Sequence, residues 1–142
     1  MRKKWSDLQH GRAIIFLAWF QGIYYAVAGI WPILHIDSFM MVTGPKTDIW
    51  LVHTVGLLLV AVGVVLCLAA YRQRLTLEMI VLAAGAALAL TTIELVYTWK
   101  GMISAVYLLD AAVETLLIVG WLWLGFSSAR GTKQADTGSS KH

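Results

Sequence analysis

Four stretches of the chain are apolar almost throughout, and the segments between them are short and polar. Ala13–Leu34, Trp50–Tyr71, Leu77–Trp99 and Ser104–Phe126 each run about 20 residues, the length a helix needs to cross a hydrocarbon core about 30 Å thick. Only helices and closed barrels satisfy every backbone polar group in lipid. The pattern therefore predicts an all-α membrane protein: a four-transmembrane-helix antiparallel bundle. A basic N-terminal arm (residues 1–12) precedes it, and a polar tail (Ser127–His142), small-residued and without periodicity, follows it and is expected to be flexible.

The connections are unequal. Arg72–Thr76 and Lys100–Ile103 are tight turns, which predicts that spans two and three, and three and four, are antiparallel neighbours. His35–Ile49 is longer, and its Ile36, Phe39, Met40, Met41 and Val42 are too apolar for a water-exposed loop. A short interfacial flap over the bundle mouth is expected there. Gly44-Pro45 then turns the chain into the second span.

Composition agrees. The chain is 59% hydrophobic and 13% charged, against about 25% charged in soluble domains. Its net charge of +3 is a topology signal. Nine of the eleven Lys and Arg residues lie on one side (Arg2, Lys3, Lys4, Arg12, Arg72, Arg74, Arg130, Lys133, Lys141), and only Lys46 and Lys100 lie on the other. This is the positive-inside bias, which predicts cytoplasmic termini and, in a bacterial-type cell, residence in the inner membrane. The basic residues suit contact with membrane lipids, not nucleic acid. The first span is expected to remain as an anchor because no A-x-A-like site ends it. Trp31, Trp50, Trp99 and Tyr107, and at the other end Trp5, Tyr71, Trp121 and Trp123, fit two interfacial belts. Cys67 is read as a small buried hydrophobe.

Small residues predict where helices meet. Gly22, Ala26 and Gly29 on span one, Gly56 and Gly63 on span two, and Ala83–Ala87 with Ala89 on span three let backbones approach closely. Packing within one chain and a homo-oligomer face both use such residues.

Candidate chemistry is confined to one leaflet. Thr91, Glu94 and Thr98 share a face of span three; Tyr107, Asp110 and Glu114 share a face of span four. At about 1.5 Å rise per residue, His53 and Glu94 lie roughly 5–8 Å inside the boundary, Asp110 roughly 9 Å and Glu114 roughly 15 Å. A carboxylate at a span centre costs about 2.5–3.5 kcal/mol, so these acids are expected to face the interior. No Lys or Arg lies in any span. They are protonated, hydrogen-bonded to neighbours, or paired with a cation from outside the chain. The expected site is an outward-opening pocket in which Glu94, Asp110 and Glu114 bind or pass on a small, partly apolar ligand, cationic or neutral, or protons. Tyr107, His53 and Gln21 would orient that ligand, and Phe39, Met40 and Met41 would cover it. Interhelical hydrogen bonding alone is the bland alternative. His53, Glu94, Asp110 and Glu114 could in principle ligate zinc or iron, but no His-x-x-x-His, Glu-x-x-His or paired-cysteine spacing is present. No P-loop, G-x-S-x-G or G-x-G-x-x-G occurs, so neither an enzyme class nor a cofactor is indicated.

Trp31-Pro32, Phe39, Gly56 with Gly63, and then Glu94, Gly101, Tyr107, Asp110 and Glu114 make the chain resemble small bacterial four-span proteins of the DoxX-like type over about Ala13–Trp123. The resemblance implies the four-span fold. It also implies a rival role, as a small accessory subunit of a larger, quinone-linked membrane complex. It carries over no catalytic residue.

Overall fold

A computed structural model describes the backbone of residues 2–136 and the side chains of residues 11–125. The chain forms five helices: α1 (Arg2–Leu34), α2 (Ile36–Thr43), α3 (Ile49–Tyr71), α4 (Leu77–Trp99) and α5 (Tyr107–Asp136). Four are long and apolar enough to cross a membrane, over Gly11–Leu34, Ile49–Tyr71, Leu77–Trp99 and Tyr107–Gly125. The bounds differ from the hydropathy reading only at the ends. α5 starts at Tyr107 because Ser104 turns the chain first, its carbonyl accepting from Tyr107 N at 3.1 Å. At its other end α5 continues to Asp136, through residues expected to be flexible; Ala, Arg, Lys and Gln there sustain a helix once it is running. Residues 137–142 lie outside the described residues, as do the side chains of the basic arm before Gly11.

Only 17% to 28% of each apolar window is buried within the protein. Large side chains such as Phe16, Leu57, Leu58, Leu116 and Trp123 point outward, and small residues make the contacts between helices. This is the arrangement expected where lipid is as apolar as leucine and only close packing holds helices together. The tightest seam joins α1 to α3. A Cβ built on Gly63 would stand 2.5 Å from the Gly22 carbonyl oxygen, and one on Gly56 would stand 2.5 Å from that of Gly29. The two antiparallel helices thus touch backbone to backbone at two points two turns apart.

α4 packs on α5, and the two pairs join where α1 meets α5. The tight turn between α3 and α4 does not make them close neighbours: the two helices barely touch. α3 is drawn to α1 by the glycine seam, and the space left beside α4 becomes the cavity described below. In the half of the bundle that carries the termini, Ala18, Leu66, Ala70, Ala83 and Trp121 form an apolar core. Trp121 is buried there, not placed in an interfacial belt.

α2 lies across the opposite end. Trp31 Nε1 donates to Ser38 Oγ at 2.9 Å, and the Trp31 and Phe39 rings meet edge to face at 5.6 Å, so the short helix is tied to the end of α1. Gly44 ends it with φ 88°, a left-handed conformation that glycine adopts without steric penalty.

Candidate functional site

Glu94, Asp110 and Glu114 collect with three tyrosines just beneath α2. Asp110 is three residues into α5 and Glu114 seven, hence about 4.5 and 10.5 Å below its start; Glu94 is five residues, about 7.5 Å, from the end of α4. Because α5 begins three residues later than the hydropathy boundary, both of its acids lie nearer the α2 end than the sequence suggested. The antiparallel α4 then brings Glu94 to a depth between them, beside Asp110.

These acids line a cavity of about 270 Å³ with Tyr24, Tyr25 and Tyr107. The rest of its lining is largely apolar, with Pro32, Leu51, Val55, Leu59 and Leu90. A second cavity of about 360 Å³ lies on the α1–α5 side and shares Tyr24, Ala28, Phe39, Tyr107 and Asp110 with the first. The Tyr24 hydroxyl donates to Asp110 Oδ1 at this shared wall. Phe39 and Thr43, one helical turn apart on α2, face the cavities from above. Met41 lies on the far side of that short helix and is 82% exposed, and Met40 lines neither cavity. The covering role expected of Met40 and Met41 therefore falls to Phe39 and Thr43.

Each deep carboxyl is half satisfied. Tyr25 donates its hydroxyl to Glu114 Oε2 at 2.9 Å, while Glu114 Oε1 and Glu94 Oε2 are buried with no partner. Glu94 is 5% exposed and Glu114 1%. A buried polar atom without a partner costs about 1–3 kcal/mol, and more if charged, so these two oxygens are the places beside the cavity where a hydrogen-bond donor would be most stabilising.

Two of the six expected site residues lie elsewhere. Gln21 is fully buried below the cavity, where Nε2 donates to the Ala83 carbonyl at 2.9 Å and Oε1 accepts from Trp121 Nε1 at 2.5 Å. It clamps α1 to α4 and α5 with both ends of its amide engaged. His53 stands near the start of α3 with Nε2 3.2 Å from the Pro32 carbonyl. A carbonyl only accepts, so Nε2 carries a proton and caps one of the last carbonyls of α1, which have no partner in the helix. The structure brings together the other four: Glu94, Tyr107, Asp110 and Glu114. Tyr24 and Tyr25 join them as carboxyl partners, a role that residues some 90 positions apart do not announce in sequence.

Lys46 enters the surroundings of the site from the loop. Its Nζ donates to the carbonyls of Thr43 and Gly44 at 2.9 and 3.2 Å and lies 5.3 Å from the centre of the Tyr107 ring, within cation–π range. Partial burial lowers its pKa from the ordinary lysine value. Among the described residues, no group of three or more His, Cys, Asp and Glu side chains is placed to hold a metal ion; the three acids share a cavity without closing on one point. No family model, curated protein or solved structure matches the chain, and the site is read from its own geometry.

Proposed function

We propose that the protein binds a small, partly apolar, cationic ligand in the cavity beneath α2. In this reading the ammonium group meets Glu94 and Glu114, and the apolar body lies against Leu51, Val55, Leu59 and Leu90. The observation that carries it is the pair of buried carboxyl oxygens left without a partner beside an apolar wall. Helix–helix adhesion would use both oxygens of each acid, as Gln21 uses both ends of its amide. An amine supplies the missing charge, and the largely apolar surroundings strengthen that attraction relative to bulk water. With nine of the eleven basic residues on the side of the termini, the termini are cytoplasmic and the ligand is drawn from the outer leaflet of an inner membrane.

The test uses the full chain in phosphatidylcholine nanodiscs, with hexylamine and hexanol as probes and binding followed by native mass spectrometry and titration. Hexylamine is expected to bind saturably and hexanol to bind at least about tenfold more weakly, a gap of about 1.4 kcal/mol. Glu114→Gln and Glu94→Gln should each remove the amine preference while the protein stays folded. Equal binding of amine and alcohol overturns the reading. So does unfolding of both variants with no amine binding to the wild type, which would assign the acids to helix adhesion and favour an accessory-subunit role.

A further inference from the structure

One face of α4 carries more buried oxygen than an amine needs. Thr91, Glu94 and Thr98 lie at i, i+3 and i+7 on this face, and Thr91 Oγ1, Glu94 Oε2 and Thr98 Oγ1 are each buried without a partner, as is Glu114 Oε1 from α5. A helical threonine ordinarily satisfies its hydroxyl on the carbonyl four residues back. Thr54, Thr92 and Thr115 do so, at 2.8, 2.7 and 2.7 Å. Thr91 and Thr98 do not. Their hydroxyls, which can both donate and accept, are left for partners in the protein interior.

The spacing leaves room for water. Counted from the end of α4, Thr98, Glu94 and Thr91 lie about 1.5, 7.5 and 12 Å deep, in axial steps of about 6 and 4.5 Å. One water making two O–H···O bonds of about 2.8 Å at its tetrahedral angle joins oxygens about 4.5 Å apart, so one water spans the Glu94–Thr91 step and two span the Thr98–Glu94 step. A buried water is held where two to four polar atoms converge, and the carboxyl and hydroxyl oxygens provide them. At the shallow end Thr98 is the polar residue lining a groove of about 610 Å³ at the ends of α4 and α5, among Leu95, Val96, Trp99 and Leu108, with its own Oγ1 buried just beneath the groove. The deep end is closed. Below Thr91 the same face continues with Ala87 and Ala83, both fully buried, and the one amide beneath, that of Gln21, is held between the Ala83 carbonyl and Trp121 Nε1.

We infer that the Thr98–Glu94–Thr91 face of α4 is a hydrated proton path joining the groove at the α2 end to the buried carboxyls. It is a half-channel with no continuation toward the termini. Along it an O–H bond breaks at one oxygen as another forms at the next, so every oxygen gains a proton as it gives one, with no redox partner. The titratable groups around its buried end are Tyr107, Asp110 and Glu114 from α5 and, from α1, Tyr24 and Tyr25. The path does not depend on the amine reading, because it serves the acids with or without a ligand.

The test is hydrogen–deuterium exchange of the protonated carboxyls, read by infrared spectroscopy of the full chain in phosphatidylcholine nanodiscs after a switch to D2O. The Glu94 band is identified as the carboxylic C=O stretch lost in Glu94→Gln. Thr98→Val and Thr91→Val are expected to slow its shift about tenfold or more, as a barrier higher by about 1.4 kcal/mol would do. Thr98→Ser should exchange like the wild type, and so should Thr92→Val, whose hydroxyl is already engaged. Should Thr98→Val fail to fold, Thr98→Ala gives the same readout. Wild-type exchange rates in Thr98→Val or Thr98→Ala, equal slowing in Thr92→Val, or the absence of a protonated Glu94 band would overturn the inference.

Discussion

Replacing Gly56 by alanine tests whether α1 and α3 are held by backbone contact. The added Cβ would stand 2.5 Å from the Gly29 carbonyl oxygen, against 3.4–4 Å for ordinary contact. The helices must therefore part by about 1 Å, and backbone cannot rotate out of the way as a side-chain tip can. Overpacking of this kind costs about 1–3 kcal/mol. Against it stands the better helix propensity of alanine, worth up to about 1 kcal/mol. Gly85 isolates that second term: it sits in α4 with nothing within 4 Å of an added Cβ, so Gly85→Ala should be neutral or slightly stabilising. The difference between the two variants, about 1–3 kcal/mol, is the steric term alone. Gly63→Ala, which meets the Gly22 carbonyl oxygen and Ala26 N at 2.5 and 2.8 Å, should behave like Gly56→Ala. The assay is unfolding in one detergent, followed by the folded fraction on size exclusion after graded heating. Equal stability of Gly56→Ala, Gly63→Ala and Gly85→Ala would refute backbone contact as the basis of the seam.

Two further outcomes are expected. Trp121→Phe removes the donor to Gln21 Oε1 inside a fully buried site and should cost about 1–3 kcal/mol. Adding Gln21→Leu should recover part of that loss, because an apolar pair leaves no orphaned acceptor; a purely additive double mutant would contradict the clamp. Lys46 titrates below its ordinary value when folded, so the unfolded chain binds more protons there and stability should rise as pH climbs from the folded toward the unfolded pKa. Lys46→Met should flatten that alkaline rise in thermal unfolding; an unchanged slope would show that the lysine is as solvated folded as unfolded.

The spans were legible because lipid demands unbroken apolar length, a property of local sequence. The glycine seam was half legible: Gly22, Gly29, Gly56 and Gly63 announced close approach, but not that they meet one another, and short turns suggested a different pairing. The carboxyl cluster could be placed in one leaflet by counting residues, since helical rise is fixed. The roles of Gln21 and His53 could not. A buried amide or imidazole looks the same in sequence whether it faces a ligand or a carbonyl, and the partners of Gln21, Ala83 and Trp121, lie 62 and 100 residues away. Which residues of α2 look inward became readable only once that segment was seen to be helical, which sets Phe39 and Thr43 on one side and Met41 on the other.

The position of α1 governs the order in which the molecule can be assembled. Its glycines find their partners on the next long helix, so a ribosome that has delivered α3 to the membrane has already released a hairpin able to zip shut. Its polar groups must wait. Tyr24, Tyr25 and Gln21 bond to Asp110, Glu114 and Trp121 across 86, 89 and 100 residues, all on the helix synthesised last. Until that helix arrives, the nascent hairpin exposes an unfinished polar edge to the bilayer, and a chain stalled before α5 would be a natural substrate for membrane quality control.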